Sequence, residues 1–167
     1  MTSLYSLIIS GLAFSLSLYS AINTYYEKHI KTQLYLRWIY FKGNQLNVCL
    51  LISNMSSRPS TITNIYFKNE IEKVESSWFP VKLVDSQEPN TNKTKATFSD
   101  CTPLNIPPRS AKTFVISFQY LNSNQFCPNS KLNLDFEVNG TTVEKELIIK
   151  KVLDTSEYSI ALKNRLK

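Results

Sequence analysis

The feature that most constrains this chain is an apolar stretch near its N-terminus that contains no charged residue. It runs from Leu4 to Ile22 and reads LYSLIISGLAFSLSLYSAI. At about 1.5 Å per helical residue, the stretch reaches close to the roughly 30 Å of a bilayer core. Backbone groups inside lipid must pair within their own segment, so a helix is the form it must take there. We therefore expect a transmembrane anchor over residues 1–26.

Two other interpretations of this stretch are a cleaved signal peptide and a buried core helix. A signal peptide needs a positively charged start and a small-x-small cleavage site. No Lys or Arg precedes the stretch, and its end, from Tyr19 to Asn23, is a poor cleavage site. A buried core helix of this length, without charge, is unusual in a chain of 167 residues. The residues favour an uncleaved anchor.

The flank that follows the anchor is basic. It carries Lys28, Lys31, Arg37 and Lys42 against Glu27 alone. Positive charge resists translocation, so we expect a single-pass membrane protein with its C-terminal part in the cytoplasm. Residues 27–33 are predicted to form a basic juxtamembrane segment. Four side chains are expected to contact the membrane interface and lipid headgroups: Tyr25, Tyr26, Lys28 and Lys31.

Beyond the flank, apolar and polar residues alternate, as is typical of β-strands. Seven runs show this pattern: 34–41, 46–52, 60–68, 78–84, 113–120, 132–138 and 143–149. Gly43-Asn44 and Asn139-Gly140 each separate two runs and predict tight hairpins. The pattern predicts an antiparallel, immunoglobulin-like β-sandwich of about seven strands over residues 34–152.

Three finer expectations follow from the same reading. In the first run, strict alternation places Leu36, Trp38 and Tyr40 on one side of the strand and Ile39 on the other. Residues 85–100 lack an apolar period and are expected to form a long surface loop or a mobile edge. The tail, residues 153–167, is expected to form a short helix. Its cap would be Asp154, Thr155 or Ser156.

The residues that enzymes use are sparse. The three glycines lie far apart and cannot form a phosphate loop, and His29 is the sole histidine. Cys49, Cys101 and Cys127 lack zinc-site spacing. A reducing compartment would keep them as thiols, whereas export would let the last two pair. We predict no enzymatic activity, no catalytic, metal or cofactor site, no small-molecule substrate and no nucleic-acid partner. Half of the net charge of +6 lies in residues 27–42, beside the membrane.

Two longer motifs carry a family resemblance. They are NVCLLISNMSSRPSTITNIYF, with its Asn-x-Ser-Ser-x-Pro turn, and PLNIPPRSAKTFVISF, with its Pro-Pro-x-Ser entry to a strand. Together with the anchor, the basic flank and a Gly-turn hairpin, they resemble small membrane-anchored β-sandwich proteins of Gram-positive bacteria and their prophages. That group includes superinfection-exclusion proteins, which block DNA entry by related phages. The resemblance covers most of the chain, and its motifs are structural.

The function predicted from these features is that of a membrane-anchored interaction protein. The resemblance makes superinfection exclusion its most concrete form, with the lipid bilayer and a protein in or at the membrane as partners. The alternative is an accessory subunit of a bacterial membrane transporter or defence complex. No residue for binding the protein partner can be named from the sequence.

Overall fold

A computed structural model describes residues 2–29, 32–69, 73–87, 94–121 and 126–165. Within these ranges, the chain forms one long helix, ten strands and a short helix. Their bounds are α1 Thr2–His29, β1 Gln33–Lys42, β2 Gln45–Asn54, β3 Ser60–Lys68, β4 Lys73–Glu75, β5 Lys82–Gln87, β6 Thr94–Phe98, β7 Leu104–Ile106, β8 Ser110–Phe118, β9 Lys131–Val138, β10 Thr141–Ile148 and α2 Thr155–Arg165.

Two antiparallel sheets enclose the main core. The first has the order β1-β2-β8, and the second has the order β10-β9-β3-β4, with β7 also paired to β3. Both sheets contribute fully buried side chains to one cluster, for example Leu50 and Ile116 from the first and Ile65 and Phe136 from the second. The expected combination of an N-terminal helix and an all-β domain is confirmed, with ten strands instead of about seven.

The two glycine turns close hairpins as expected. Gly43 has φ +60° between β1 and β2, which a type II′ turn requires at its first central residue. Asn139 and Gly140 have φ +49° and +77°, so both central residues of the β9–β10 turn are left-handed, as in a type I′ turn. Asn and Gly adopt this conformation at the lowest cost.

The strict alternation expected in β1 is wrong because the strand contains a bulge. The register against β2 shifts between Leu36 and Trp38. A bulge inserts one residue and so reverses which face the following side chains occupy. Leu36 and Ile39 therefore both enter the main core, while Trp38 and Tyr40 face a second apolar cluster on the outer side of the sheet.

Two other expectations in the middle of the chain also change. Residues 78–81 form a loop, and β5 begins only at Lys82; Pro80 has no N–H to offer a strand ladder. The expected surface loop over residues 85–100 instead contains the end of β5 and all of β6, which pair as a separate hairpin. Residues 88–93 lie outside the described part of the chain. These strands carry a polar sequence, which explains the missing apolar period.

Short segments cover both outer edges of the first sheet. At the β8 edge, Ser76 bridges Phe118 and Asp100 bridges Ile116. The Asp100 carboxylate also accepts a hydrogen bond of 2.7 Å from the backbone N–H of Val115. At the β1 edge, Val152 bridges Ile39 in parallel. Neither edge is left open along its whole length.

Helix α2 packs on the outer face of the first sheet and builds the second apolar cluster. Leu153, Tyr158 and Leu162 lie buried there against side chains of β1, β2 and β8. The Tyr158 ring stacks on Tyr40 with a centroid separation of 3.9 Å and an interplanar angle of 9°. Asp154 caps the helix, because its carboxylate accepts a 2.8 Å hydrogen bond from the backbone N–H of Glu157.

The Asn-x-Ser-Ser-x-Pro motif is explained by a buried asparagine. The side-chain amide of Asn54 donates to the carbonyl oxygens of Arg58, Ile106 and Pro107 at 2.7, 3.2 and 3.2 Å. Its oxygen accepts hydrogen bonds from the backbone N–H and hydroxyl of Ser56 at 3.0 and 2.7 Å. One side chain thus fixes the turn after β2 and ties it to the chain between β7 and β8.

Candidate functional site

The first candidate region is helix α1. Its segment Tyr5–Tyr25 is long and apolar enough to cross a membrane, and all of its side chains are exposed. The hydroxyls of Ser10 and Ser15 donate to the carbonyl oxygens of Ser6 and Gly11, each at 2.8 Å. This back-bonding satisfies the serine hydroxyls without water, which makes them tolerable in lipid.

The position of this helix, near the N-terminus, fits both a membrane anchor and a signal sequence. Of the four expected membrane contacts, Tyr25 lies exposed at the end of the apolar segment. Lys31, together with the side chains of Tyr26 and Lys28, lies outside the described part of the chain. The orientation across a membrane stays a prediction.

The second candidate region is an exposed set of aromatic side chains at one end of the β domain. Trp78, Phe79 and Tyr120 are 60%, 79% and 83% exposed. We call these three residues the aromatic edge. The apolar pattern predicts a strand at Trp78 and Phe79 and so gives no sign of their exposure. The flanking Ser76-Ser77 and Pro80 are the turn-forming signal that places them in a loop.

Backbone pairing brings the two loops of the aromatic edge together and holds them. The backbone N–H of Ser77 donates to the carbonyl oxygen of Ser117 at 2.8 Å, next to the bridge between Ser76 and Phe118. Within the first loop, the Ser77 hydroxyl donates to the carbonyl oxygen of Phe79 at 2.8 Å. The loop is therefore fixed at its base, and its large apolar side chains point away from the core.

A groove of about 380 Å³ lies beside the aromatic edge. Its lining residues are Lys73, Val74, Glu75, Ser77, Gln119 and Tyr120. The Lys73 ammonium lies 2.9 Å from the buried Asp135 carboxylate and 4.4 Å from the centroid of the Tyr66 ring. The hydrogen bond to Asp135 raises the pKa of Lys73 above its usual value. The charge at this groove is thus compensated within the protein.

The tyrosine beneath that lysine also has a shifted pKa. Desolvation is the largest cause and raises the pKa of the Tyr66 phenol, and the negative charges of Glu75 and Glu137 raise it further. Tyr66 therefore stays protonated at any physiological pH. Its ring lies under the Lys73 ammonium as a cation–π partner.

The described residues offer little for catalysis or metal binding. Among them, no group of three His, Cys, Asp or Glu side chains is placed to hold a metal ion. Cys49, Cys101 and Cys127 form no disulfide among the described residues, and they are buried, half-buried and exposed in that order.

Comparisons with known proteins identify similar structures but no family. No known protein-family profile matches the sequence, and no curated protein sequence matches it. A copper-bound PCuAC domain from PmoF2 is similar at 10% identity and a TM-score of 0.47, covering 72% of this chain and 93% of that one. The apo PmoF2 PCuAC domain is similar at 10% identity and a TM-score of 0.45, covering 72% and 90%.

At this level of identity and TM-score, neither likeness supports an inference about function. No comparison links the chain to superinfection exclusion or to a Gram-positive prophage. The resemblance to those proteins therefore depends on the quoted sequence motifs alone.

Proposed function

We propose that the chain is a non-enzymatic interaction protein, anchored in a bacterial cell membrane by α1, whose β domain binds a protein partner in or at that membrane. The observation that carries the proposal is the joining of two surfaces in one small chain. One is the uncharged, fully exposed segment Tyr5–Tyr25, and the other is the aromatic edge of the β domain.

The aromatic edge is the surface that the partner contacts. Single exposed apolar residues are ordinary on protein surfaces, but Trp and Tyr grouped beside a groove are typical of binding hot spots. The loop that carries Trp78 and Phe79 is held by hydrogen bonds, so little conformational entropy is lost when it binds. The adjoining 380 Å³ groove has room for a partner side chain.

Superinfection exclusion is the most concrete form of this function. Cells that express the chain should adsorb phage normally and fail to receive its DNA. The triple variant Trp78→Ser, Phe79→Ser, Tyr120→Ser should lose the protection at unchanged protein level. A matched control, Ile148→Ser with Ile160→Ser, removes two exposed apolar residues elsewhere and should keep it. Unchanged plaque counts across a phage panel would refute superinfection exclusion.

The alternative form is an accessory subunit of a bacterial membrane transporter or defence complex. Stable co-purification with the products of neighbouring genes would favour it, and the same triple variant should abolish that association. If association survives the triple variant, the aromatic edge is not the contact surface.

The proposed orientation places the β domain in the cytoplasm, because the basic flank follows the helix. Protease added to intact spheroplasts should leave the β domain uncut, and lysis should expose it. Digestion in intact spheroplasts would reverse the orientation. It would also place the free thiols of Cys101 and Cys127 in an oxidising compartment.

A further inference from the structure

A second, smaller cavity lies on the outer face of the first sheet, between α2 and β5. Its volume is about 170 Å³. Strands β1 and β2 supply Tyr40, Lys42, Gln45 and Asn47, strand β5 supplies Leu83 and Val84, and helix α2 supplies Thr155 and Tyr158. We call it the helix pocket. It is distinct from the groove beside the aromatic edge, with which it shares no lining residue.

The strand register explains why a pocket forms here. Lys42 pairs with Gln45 and Tyr40 pairs with Asn47, so their side chains form two neighbouring rows on the outer face of the sheet. The next row, which contains Trp38 and Cys49, is apolar and is covered by α2. Helix α2 covers the apolar row and also stacks Tyr158 on Tyr40, so the row of Lys42 and Gln45 at the hairpin end is the accessible one.

One wall of the pocket carries a donor with no partner. Tyr158 is only 1% exposed, and its hydroxyl forms no hydrogen bond with any residue that the structure describes. The neighbouring phenol of Tyr40 lies 3.3 Å from the Thr155 hydroxyl and is thus satisfied. Leaving a buried hydroxyl unpaired destabilises the folded state, because the group has lost its hydrogen bonds to water. Such a cost is commonly retained where a ligand atom completes the hydrogen bond.

The charge on the pocket is positive. Lys42 is exposed and makes no ion pair with a described residue. The carboxylate of Asp154, next to Thr155 in the chain, already accepts hydrogen bonds from the Ser156 hydroxyl and the backbone N–H of Glu157. On β5, Asp85 is held by Lys82 at 2.7 Å. An acceptor with negative charge therefore suits this wall better than a neutral or positive one.

The side-chain oxygen of Asn47, in the lining of the pocket, is already used as an acceptor. It accepts hydrogen bonds from the Gln45 amide nitrogen at 2.8 Å and from the Ser117 hydroxyl. Strand β5 adds Leu83 and Val84 as the apolar part of the lining.

We propose that the helix pocket binds a small organic carboxylate. Its carboxylate group accepts hydrogen bonds from the Lys42 ammonium and the Tyr158 hydroxyl, and its short apolar body packs against Leu83 and Val84. A liquid water molecule occupies about 30 Å³, so a 170 Å³ cavity has room for a molecule the size of about five waters. This departs from the expectation that the chain takes no small molecule, and it does not depend on the function proposed for the aromatic edge.

The test uses the full chain in detergent micelles and a panel of short carboxylates, each with its uncharged amide as a matched probe. Saturation-transfer NMR and thermal shift should show saturable binding of at least one carboxylate and weaker binding of its amide. Lys42→Met and Tyr158→Phe should each weaken binding about tenfold or more, as expected for a lost hydrogen bond to a charged group. Lys150→Met, which removes an exposed lysine outside the pocket, should not.

Three outcomes would overturn the proposal. The first is that no carboxylate binds at concentrations up to about 10 mM, which is weaker than the affinities expected of a specific site. The second is that a carboxylate and its amide bind equally well. The third is that the affinity is unchanged in either pocket variant. Both variants keep the ring or the aliphatic stem, and circular dichroism will show that they are folded. The triple variant of the aromatic edge should bind the carboxylate as the parent chain does, which separates this result from the test of partner binding.

Discussion

Removing a single oxygen atom from the second apolar cluster should make the protein more stable. The Tyr158 hydroxyl is buried beneath α2 and has no hydrogen-bond partner among the described residues. Burial raises the pKa of this phenol well above its usual range, and the neighbouring Tyr40 raises it further. The hydroxyl therefore stays protonated and remains an unpaired donor. Tyr158→Phe keeps the ring and its stacking on Tyr40 while it removes the unpaired group.

The magnitude follows from the cost of burying an unpaired hydroxyl, which is about 1–3 kcal/mol. Since Phe fills the same ring volume, no cavity cost is added beyond that of one oxygen. In the absence of ligand, the free energy of unfolding should rise by about 1–2 kcal/mol. For a domain of this size that corresponds to an increase in Tm of about 3–8 °C.

Urea unfolding of the full chain in nonionic detergent, followed by tryptophan fluorescence, measures the change. Trp38 contacts the Tyr158 ring edge-on at 5.7 Å and reports on the docking of α2. Tyr40→Phe is the control, because it removes a hydroxyl that lies 3.3 Å from Thr155 and should cost about 1 kcal/mol. If Tyr158→Phe is as destabilising as Tyr40→Phe, the Tyr158 hydroxyl has a partner and the reasoning is refuted.

Three further predictions concern other parts of the chain. Asn54→Ala leaves buried carbonyl groups without a donor and should lower the free energy of unfolding by about 3 kcal/mol in the same urea assay, whereas Asn133→Ala, at an exposed site, should change it little. The hydrogen bond from the backbone N–H of Glu157 lowers the pKa of Asp154 below its ordinary 3.8. The ionised Asp154 cap therefore stabilises α2 above pH 3.8, and this stabilisation is lost as the pH falls through the folded-state pKa. In a circular-dichroism titration, Asp154→Asn should reduce the loss of helix signal at acidic pH. Phe14→Arg places a charge near the centre of α1 at a cost of about 3 kcal/mol, and it should move the chain out of the carbonate-resistant membrane fraction while Phe14→Leu does not.

The hairpins and most strands could be predicted from the sequence because their signals are local. Asn139-Gly140 sits between two alternating runs, and only a few residues decide the turn geometry. The uncharged apolar stretch near the N-terminus likewise forms α1 without help from the rest of the chain. Its role as an anchor, and its orientation, stay predictions.

The second apolar cluster could not be predicted, because it depends on a bulge. A single inserted residue between Leu36 and Trp38 sends Trp38 and Tyr40 to the outer face. Nothing in the local alternation marks that position. If the bulge is not known, the sequence gives no apolar patch on the outer face of the first sheet against which α2 could pack. The helix pocket could therefore not be predicted either.

The aromatic edge was missed for a related reason. Trp78 and Phe79 favour strands by propensity, and their exposure depends on backbone pairing with residues about forty positions later. Long-range pairing of that kind leaves no periodic trace in the sequence. The turn-forming residues on either side of the loop are the available signal for a loop, but the strand propensity of the apolar residues between them predicts a strand instead.

The covered edges of the first sheet matter most if copies of the chain share a bilayer. Proteins confined to a membrane plane meet at far higher effective concentration than in solution. An open strand edge would then let the sheet of one domain pair with the sheet of the next. Val152 blocks the β1 edge, and Ser76 and Asp100 block the β8 edge. The β10 edge of the other sheet carries the charged residues Glu144, Lys145 and Glu146. If the chain is anchored in a bilayer, these features disfavour edge-to-edge pairing between neighbouring copies.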